Sequence, residues 1–265
     1  MRTRGRMGVA GFGIALLAAS PLTAQRELAD RVAAVDDGWA TFQVEVRDGV
    51  EICDRGIRWY GDDGESRGHW HWGGNDEGRC DDGPLQVELR VRDGRVMDLE
   101  ARRAAPRSGA ADLGPVDPGE ASDYLVGLAY LDADDDAAEE GLFLSRLPRG
   151  ADPTEGILRV ARDRSLGSDL RKSGLFWAGQ LATEVVVGPL EAVAREDDAE
   201  QEVREAAVFA LSQHQGDAAV PVLMELALDA PHPGTRKSAL FWLAQRDEPE
   251  IADFFADIIL GRRGG

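Results

Sequence analysis

The chain has 265 residues, with 49 acidic against 30 basic side chains and a formal net charge of −19. A field of that sign repels phosphates, so the composition argues against nucleic acid as a partner. With 43% hydrophobic residues and a mean hydropathy of −0.31, the chain can bury a core but is too polar for a membrane bundle.

At the N-terminus Arg2, Arg4 and Arg6 precede an apolar run from Met7 to Ala19, and Leu22-Thr23-Ala24 ends in a small residue before Gln25. This order is the pattern of a cleavable secretory signal, and the run is short for a bilayer span. Residues 1–24 are expected to be removed. The remainder is then exported, periplasmic or secreted, with no integral membrane segment, and its partner is an envelope or periplasmic protein that the sequence does not identify. Losing three arginines and no acid makes the rest more acidic still.

Residues 25–105 read as a small, mainly antiparallel β domain, opened by a short helix at 26–35. Thr41 to Val46 alternates, Asp48-Gly49 offers a two-residue turn and Val50-Glu51-Ile52 alternates again. The device recurs as Leu85 to Val91, Asp93-Gly94 and Val96 to Leu99, so two hairpins are expected. Cys53 and Cys80 are the two cysteines, and in an exported chain such a pair reads as a disulfide across the intervening loop.

Inside that loop stands His69-Trp70-His71-Trp72. On a strand both imidazoles share one face and both indoles the other, and Asp62, Asp63 and Asp76 could complete a metal shell. Two histidines at i, i+2 without a defined third ligand more often decorate a hairpin, so no cofactor is assigned. Trp70 and Trp72 are also candidates for a partner-binding patch. The stretch 106–118, rich in proline, glycine and small residues, reads as a linker or a loose edge connection.

Helical periodicity follows over 119–262. The acidic run Asp132 to Glu140 lacks the turn glycine and the final glutamate of a calcium loop, and fits acids at a helix N-terminus instead. Gly141-Leu142-Phe143, Gly174-Leu175-Phe176, Ala207-Val208-Phe209 and Ala239-Leu240-Phe241 start 33, 33 and 32 residues apart. A second register, Ala161, Ala194, Ala227 and Leu260, keeps a spacing of 33. Two registers with one period describe about four stacked helix pairs, each burying its apolar face against the next. The phenylalanines are read as core, and Arg171, Arg204 and Arg236 as bonding to carbonyls or acids at repeat ends. Gln180, Gln213 and Gln245 are read as helix-end caps or a side-chain ladder. Trp177 and Trp242, one position beyond a core ring, are turned off the apolar face and become candidate partner-binding anchors.

Asp169-Leu170-Arg171, Glu202-Val203-Arg204 and Gly234-Thr235-Arg236, each with a small residue three positions on, resemble the short HEAT-like repeat related to phycobilisome-lyase repeats. With Phe176-Trp177-Ala178-Gly179-Gln180, its counterparts at 209–213 and 241–245, and the Val91-Arg92-Asp93-Gly94 turn, the chain looks like secreted bacterial HEAT-repeat proteins. The first repeat departs from the pattern at Ser145-Arg146. The resemblance, to proteins of undefined biochemical role, implies an α+β chain in which the β domain precedes an all-α, HEAT-like, right-handed α-solenoid; since repeat arrays usually present surface to other proteins, a non-enzymatic protein-interaction scaffold is expected. No catalytic residues are assigned, since His-Glu-x-x-His, Gly-x-Ser-x-Gly and phosphate-loop motifs are missing. The alternative is a lyase-like or hydrolytic enzyme, metal- or ligand-dependent, with His69, His71 and nearby acids in a site between the β domain and the repeats.

Overall fold

The computed structural model describes residues 21–54, 56–60, 66–71, 79–103 and 105–262. The expected signal segment falls almost wholly outside this set. Helix α1 (Pro21–Ala33) leads into eight strands: β1 (Gly38–Val44), β2 (Val50–Cys53), β3 (Gly56–Tyr60), β4 (Ser66–His71), β5 (Cys80–Asp81), β6 (Leu85–Arg92), β7 (Arg95–Arg102) and β8 (Ala111–Pro115). They form two sheets, ordered β7-β6-β1-β8 and β4-β3-β2-β5.

The second expected hairpin is present. Asp93 and Gly94, with φ of 51° and 75°, turn β6 into β7 with Arg92 opposite Arg95. The first is not. β1 pairs with β6 and β8, whereas β2 pairs with β3 and β5, so the Asp48-Gly49 turn carries the chain from one sheet to the other. Just before that turn the backbone is captured by the helical half: Arg47 N–H donates to the Leu147 carbonyl at 2.8 Å and Arg149 N–H to that of Glu45 at 2.9 Å.

The 106–118 stretch is an edge connection and not a free linker. It contains β8, an edge strand parallel to β1, a place that tolerates the proline at its end. Arg107 pins the approach to it: its N–H donates to Glu88 at 2.8 Å, and its guanidinium bonds Glu88 and Glu100 and lies 3.9 Å from the Trp39 ring centroid. Asp117 then caps the following helix by accepting from the Gly119 and Glu120 N–H groups.

The helical half runs through α2 (Pro118–Gly127), α3 (Asp135–Leu144), α4 (Thr154–Arg162), α5 (Ser168–Gly179), α6 (Val187–Ala194), α7 (Gln201–Gln213), α8 (Ala219–Asp229), α9 (Pro233–Leu243) and α10 (Pro249–Ile259). The motif helices α3, α5, α7 and α9 pack in succession, each against the preceding second helix, as in α4 on α5, α6 on α7 and α8 on α9. This is a helical solenoid behind a small mixed sheet. The small motif position explains the close fit: a Cβ on Gly174 would lie 3.0 Å from the Ala161 backbone nitrogen, and one on Gly141 would lie 2.5 Å from the Leu125 carbonyl oxygen. Sheet and stack share one core. Leu28 and Val32 of α1 pack with α2, α3 lies on β7, and Asp134 N–H donates to the Val96 carbonyl at 2.8 Å.

Candidate functional site

The repeated Phe position generates a line of rings along the motif helices. Phe143 stands 5.0 Å from Trp177, Trp177 stands 4.7 Å from Phe176, and Phe176 stacks on Phe209 at 6.3 Å with a tilt of 13°. Phe209 then meets Trp242 at 4.8 Å, and Trp242 meets Phe241 at 5.0 Å. The line begins in the core and ends in solvent: Phe143 is buried, Phe176, Phe209 and Trp242 are half-buried, and Phe241 is 56% exposed.

The expected core position thus holds at Phe143, while in the later repeats the buried phase lies one residue further on. In α5 the buried positions are Leu170, Arg171, Gly174, Leu175, Trp177, Ala178 and Gly179. Phe176, about 100° round the helix from its neighbours, sits at the edge of that stripe. Trp177 is accordingly 5% exposed and belongs to the core, not to a surface for partners. Trp242 is half-buried, and the exposed ring beside it is Phe241.

Charge follows the rings at helical spacing. One turn before each ring stand Glu139, Lys172, Glu205 and Lys237; two turns before stand Asp136, Asp169, Glu202 and Gly234. Lys172 bridges α5 and α7, 2.7 Å from Asp169 and 3.4 Å from Glu202. A groove of about 490 Å³ between α3 and α5 is lined by Glu139, Asp169, Lys172, Ser173, Phe176 and Trp177. Burial there, together with Asp136, Asp169 and Asp135 nearby, raises the Glu139 carboxyl above its usual range.

The repeated arginines end as read from the sequence. Arg171 donates to the Ala161 carbonyl at 3.4 Å and pairs with Glu196 at 3.3 Å; Arg204 donates to the Glu196 carbonyl at 3.2 Å and also to that of Ala199; Arg236 donates to the Pro231 carbonyl at 3.2 Å. Gln180, Gln213 and Gln245 are exposed at helix ends and form no ladder. Cys53 and Cys80 lie opposite each other in the β2–β5 pair and are bonded. His69, Trp70 and His71 fall in β4, facing Arg58, Ile57 and Gly56 in register, but their side chains and all of Trp72 lie outside the described set, as do Asp62, Asp63 and Asp76. Among the described residues no group of three or more His, Cys, Asp or Glu is placed to hold a metal.

Two further polar groups, the half-buried Arg146, where the first repeat departs from the pattern, and the buried His214, are not among the sites expected from the sequence. Arg146 lies 4.7 Å from the Trp177 ring centroid, its Nε without a hydrogen-bond partner, and burial beside Arg47 pushes its guanidinium down to about 10. His214 is 2% exposed and neither ring nitrogen makes a hydrogen bond among the described residues; Glu184 Oε2 stands 3.8 Å away. Their neighbours are distant in the chain, so spacing alone does not reveal them.

No helix among the described residues is long and apolar enough to cross a membrane. No curated protein matches the chain. A family model described as HEAT repeats matches residues 175–262, from within α5 to beyond α10. That match and the stacked helix pairs together support a HEAT-repeat protein.

Proposed function

We propose that the chain is an exported, non-enzymatic protein-interaction scaffold that engages an envelope or periplasmic protein through its motif-helix face. The observation that carries this reading is the ring line that surfaces at Phe241, since a half-exposed aromatic beside a second one is costly to leave in water and is a common anchor in protein interfaces. Export is supported by the basic and apolar pattern of residues 1–24 and by the disulfide, which persists in an oxidising compartment. The arginine-bearing period of about 33 residues supports the short, phycobilisome-lyase-like repeat class found in secreted bacterial proteins.

The test is photo-cross-linking in cells from a benzoyl-phenylalanine placed at position 241, with position 225 on α8 as the comparison. One discrete adduct from 241 and none from 225 is the expected result. No adduct, or the same adducts from both, would sink the assignment of this face. A stoichiometric metal in the purified protein would count against the non-enzymatic part and favour chemistry at His69 and His71.

A further inference from the structure

The ring line has a sign as well as a shape. Of the eight positions one and two turns before the rings, five are acidic and two basic, with Gly234 the remainder. Lys172 is already occupied by Asp169 and Glu202. On either side of it Glu139 and Glu205 form no ion pair among the described residues, although Glu205 accepts a hydrogen bond from Gln201 at 2.7 Å. Glu139 also lines the groove between α3 and α5, where the half-buried Phe176 supplies aromatic surface. Carboxylate and ring surface at one groove suit an ammonium or guanidinium group, which gains from ion pairing and from the ring faces together.

We propose that the occupant of this face is a cationic, amphipathic segment of the partner protein, its basic side chains at Glu139 and Glu205 and its apolar side chains on Phe209, Trp242 and Phe241. The inference rests on the scaffold reading and specifies the chemistry of what is bound. Burial and then the acids Asp136, Asp169 and Asp135 work against ionised Glu139, with Lys172 acting the other way; a bound cation relieves the repulsion between the acids. The overall charge of −19 adds long-range attraction for a basic partner and speeds encounter.

The experiment uses two labelled synthetic helices of roughly 15 residues, one of leucine and lysine and one of leucine and glutamate in the same order, with affinity read by fluorescence anisotropy. The lysine helix should bind, and its affinity should fall about tenfold between low and high salt as the exposed charges are screened. Glu139→Gln with Glu205→Gln should weaken it about threefold, as expected for two surface pairs. Glu225→Gln on α8 should leave it unchanged, and Phe241→Ser should weaken both helices. Failure of the lysine helix to bind, equal or tighter binding of the glutamate helix, or an equal loss from Glu225→Gln overturns the cationic assignment. A discrete cross-link from position 241 combined with any of these results would keep the interface and reject only its charge. Unaltered binding in Phe241→Ser would reject the ring line itself.

Discussion

Substituting alanine for glycine should have unequal effects at two helical positions of this chain. In a helix alanine is favoured over glycine by about 0.5 to 1 kcal/mol, because glycine loses more backbone entropy on folding. Gly188 in α6 has nothing beyond its chain neighbours within 4 Å of the position a Cβ would take, but Pro189 follows it and disfavours helical backbone in a preceding residue that carries a Cβ, so the two effects offset and Gly188→Ala should be close to neutral. At Gly179, the last residue of α5, a Cβ would lie 2.5 Å from the Ala210 carbonyl oxygen and 2.9 Å from its Cα. Those are backbone atoms of α7 and cannot rotate away, so the helices must separate, and overpacking of this kind costs about 1 to 3 kcal/mol. The clash outweighs the propensity gain, and Gly179→Ala should lose about 1 to 2 kcal/mol, or a few degrees of melting temperature for a chain of this size. Urea unfolding followed by far-ultraviolet circular dichroism measures both variants. A Gly179→Ala protein as stable as the parent would refute the close approach of α5 and α7.

The Cys53–Cys80 bridge should leave no thiol to label in the denatured, unreduced protein, and its reduction should cost about 3 kcal/mol, loosening the β2–β5 sheet while the helical dichroism holds. Arg146→Met should raise the urea midpoint, because the buried guanidinium forms no ion pair among the described residues while methionine keeps the packing on Trp177; a fall of more than about 1 kcal/mol would show that a partner holds the charge. Glu139 has a folded-state acidity weaker than in the unfolded chain, so its ionised form opposes folding and stability is regained as the pH falls through its raised folded value. Glu139→Gln should therefore be more stable than the parent at neutral pH, with the advantage shrinking through the carboxylate range; a constant difference across pH would contradict this.

The stack was legible because its cause is periodic. Each unit buries the same face, so Gly174 and Ala207 recur with the helices that press on them, and the arginines recur with the carbonyls they meet. A period, however, says that positions are equivalent and not which way they point. Phe176 and Trp177 are one residue apart, and only the packing of α4 and α7 against α5 decides that Trp177 lies under the stack and Phe176 at its rim. The β half was less legible for a different reason. Alternation shows that Thr41 to Val46 and Val50 to Ile52 are strands, yet pairing is a long-range choice, and β1 found β6 more than forty residues away. Proline and glycine made 106–118 look loose, whereas Arg107 and the parallel edge pairing hold it down.

The shared core of sheet and stack makes the two ends of the array unequal. α3 buries six of its residues with β7 beneath it, while α10, the last described helix, buries Ile251 and Phe254. In a linear array, where each unit leans on its neighbours, such a gradient means that opening begins at the weak end and travels inward. Amide hydrogen exchange should accordingly be slowest in α3 to α5, faster in α7 and fastest in α9 and α10. A ligand gripping Phe241 would then add contacts at the weakly buried end, slowing exchange in helices it never touches.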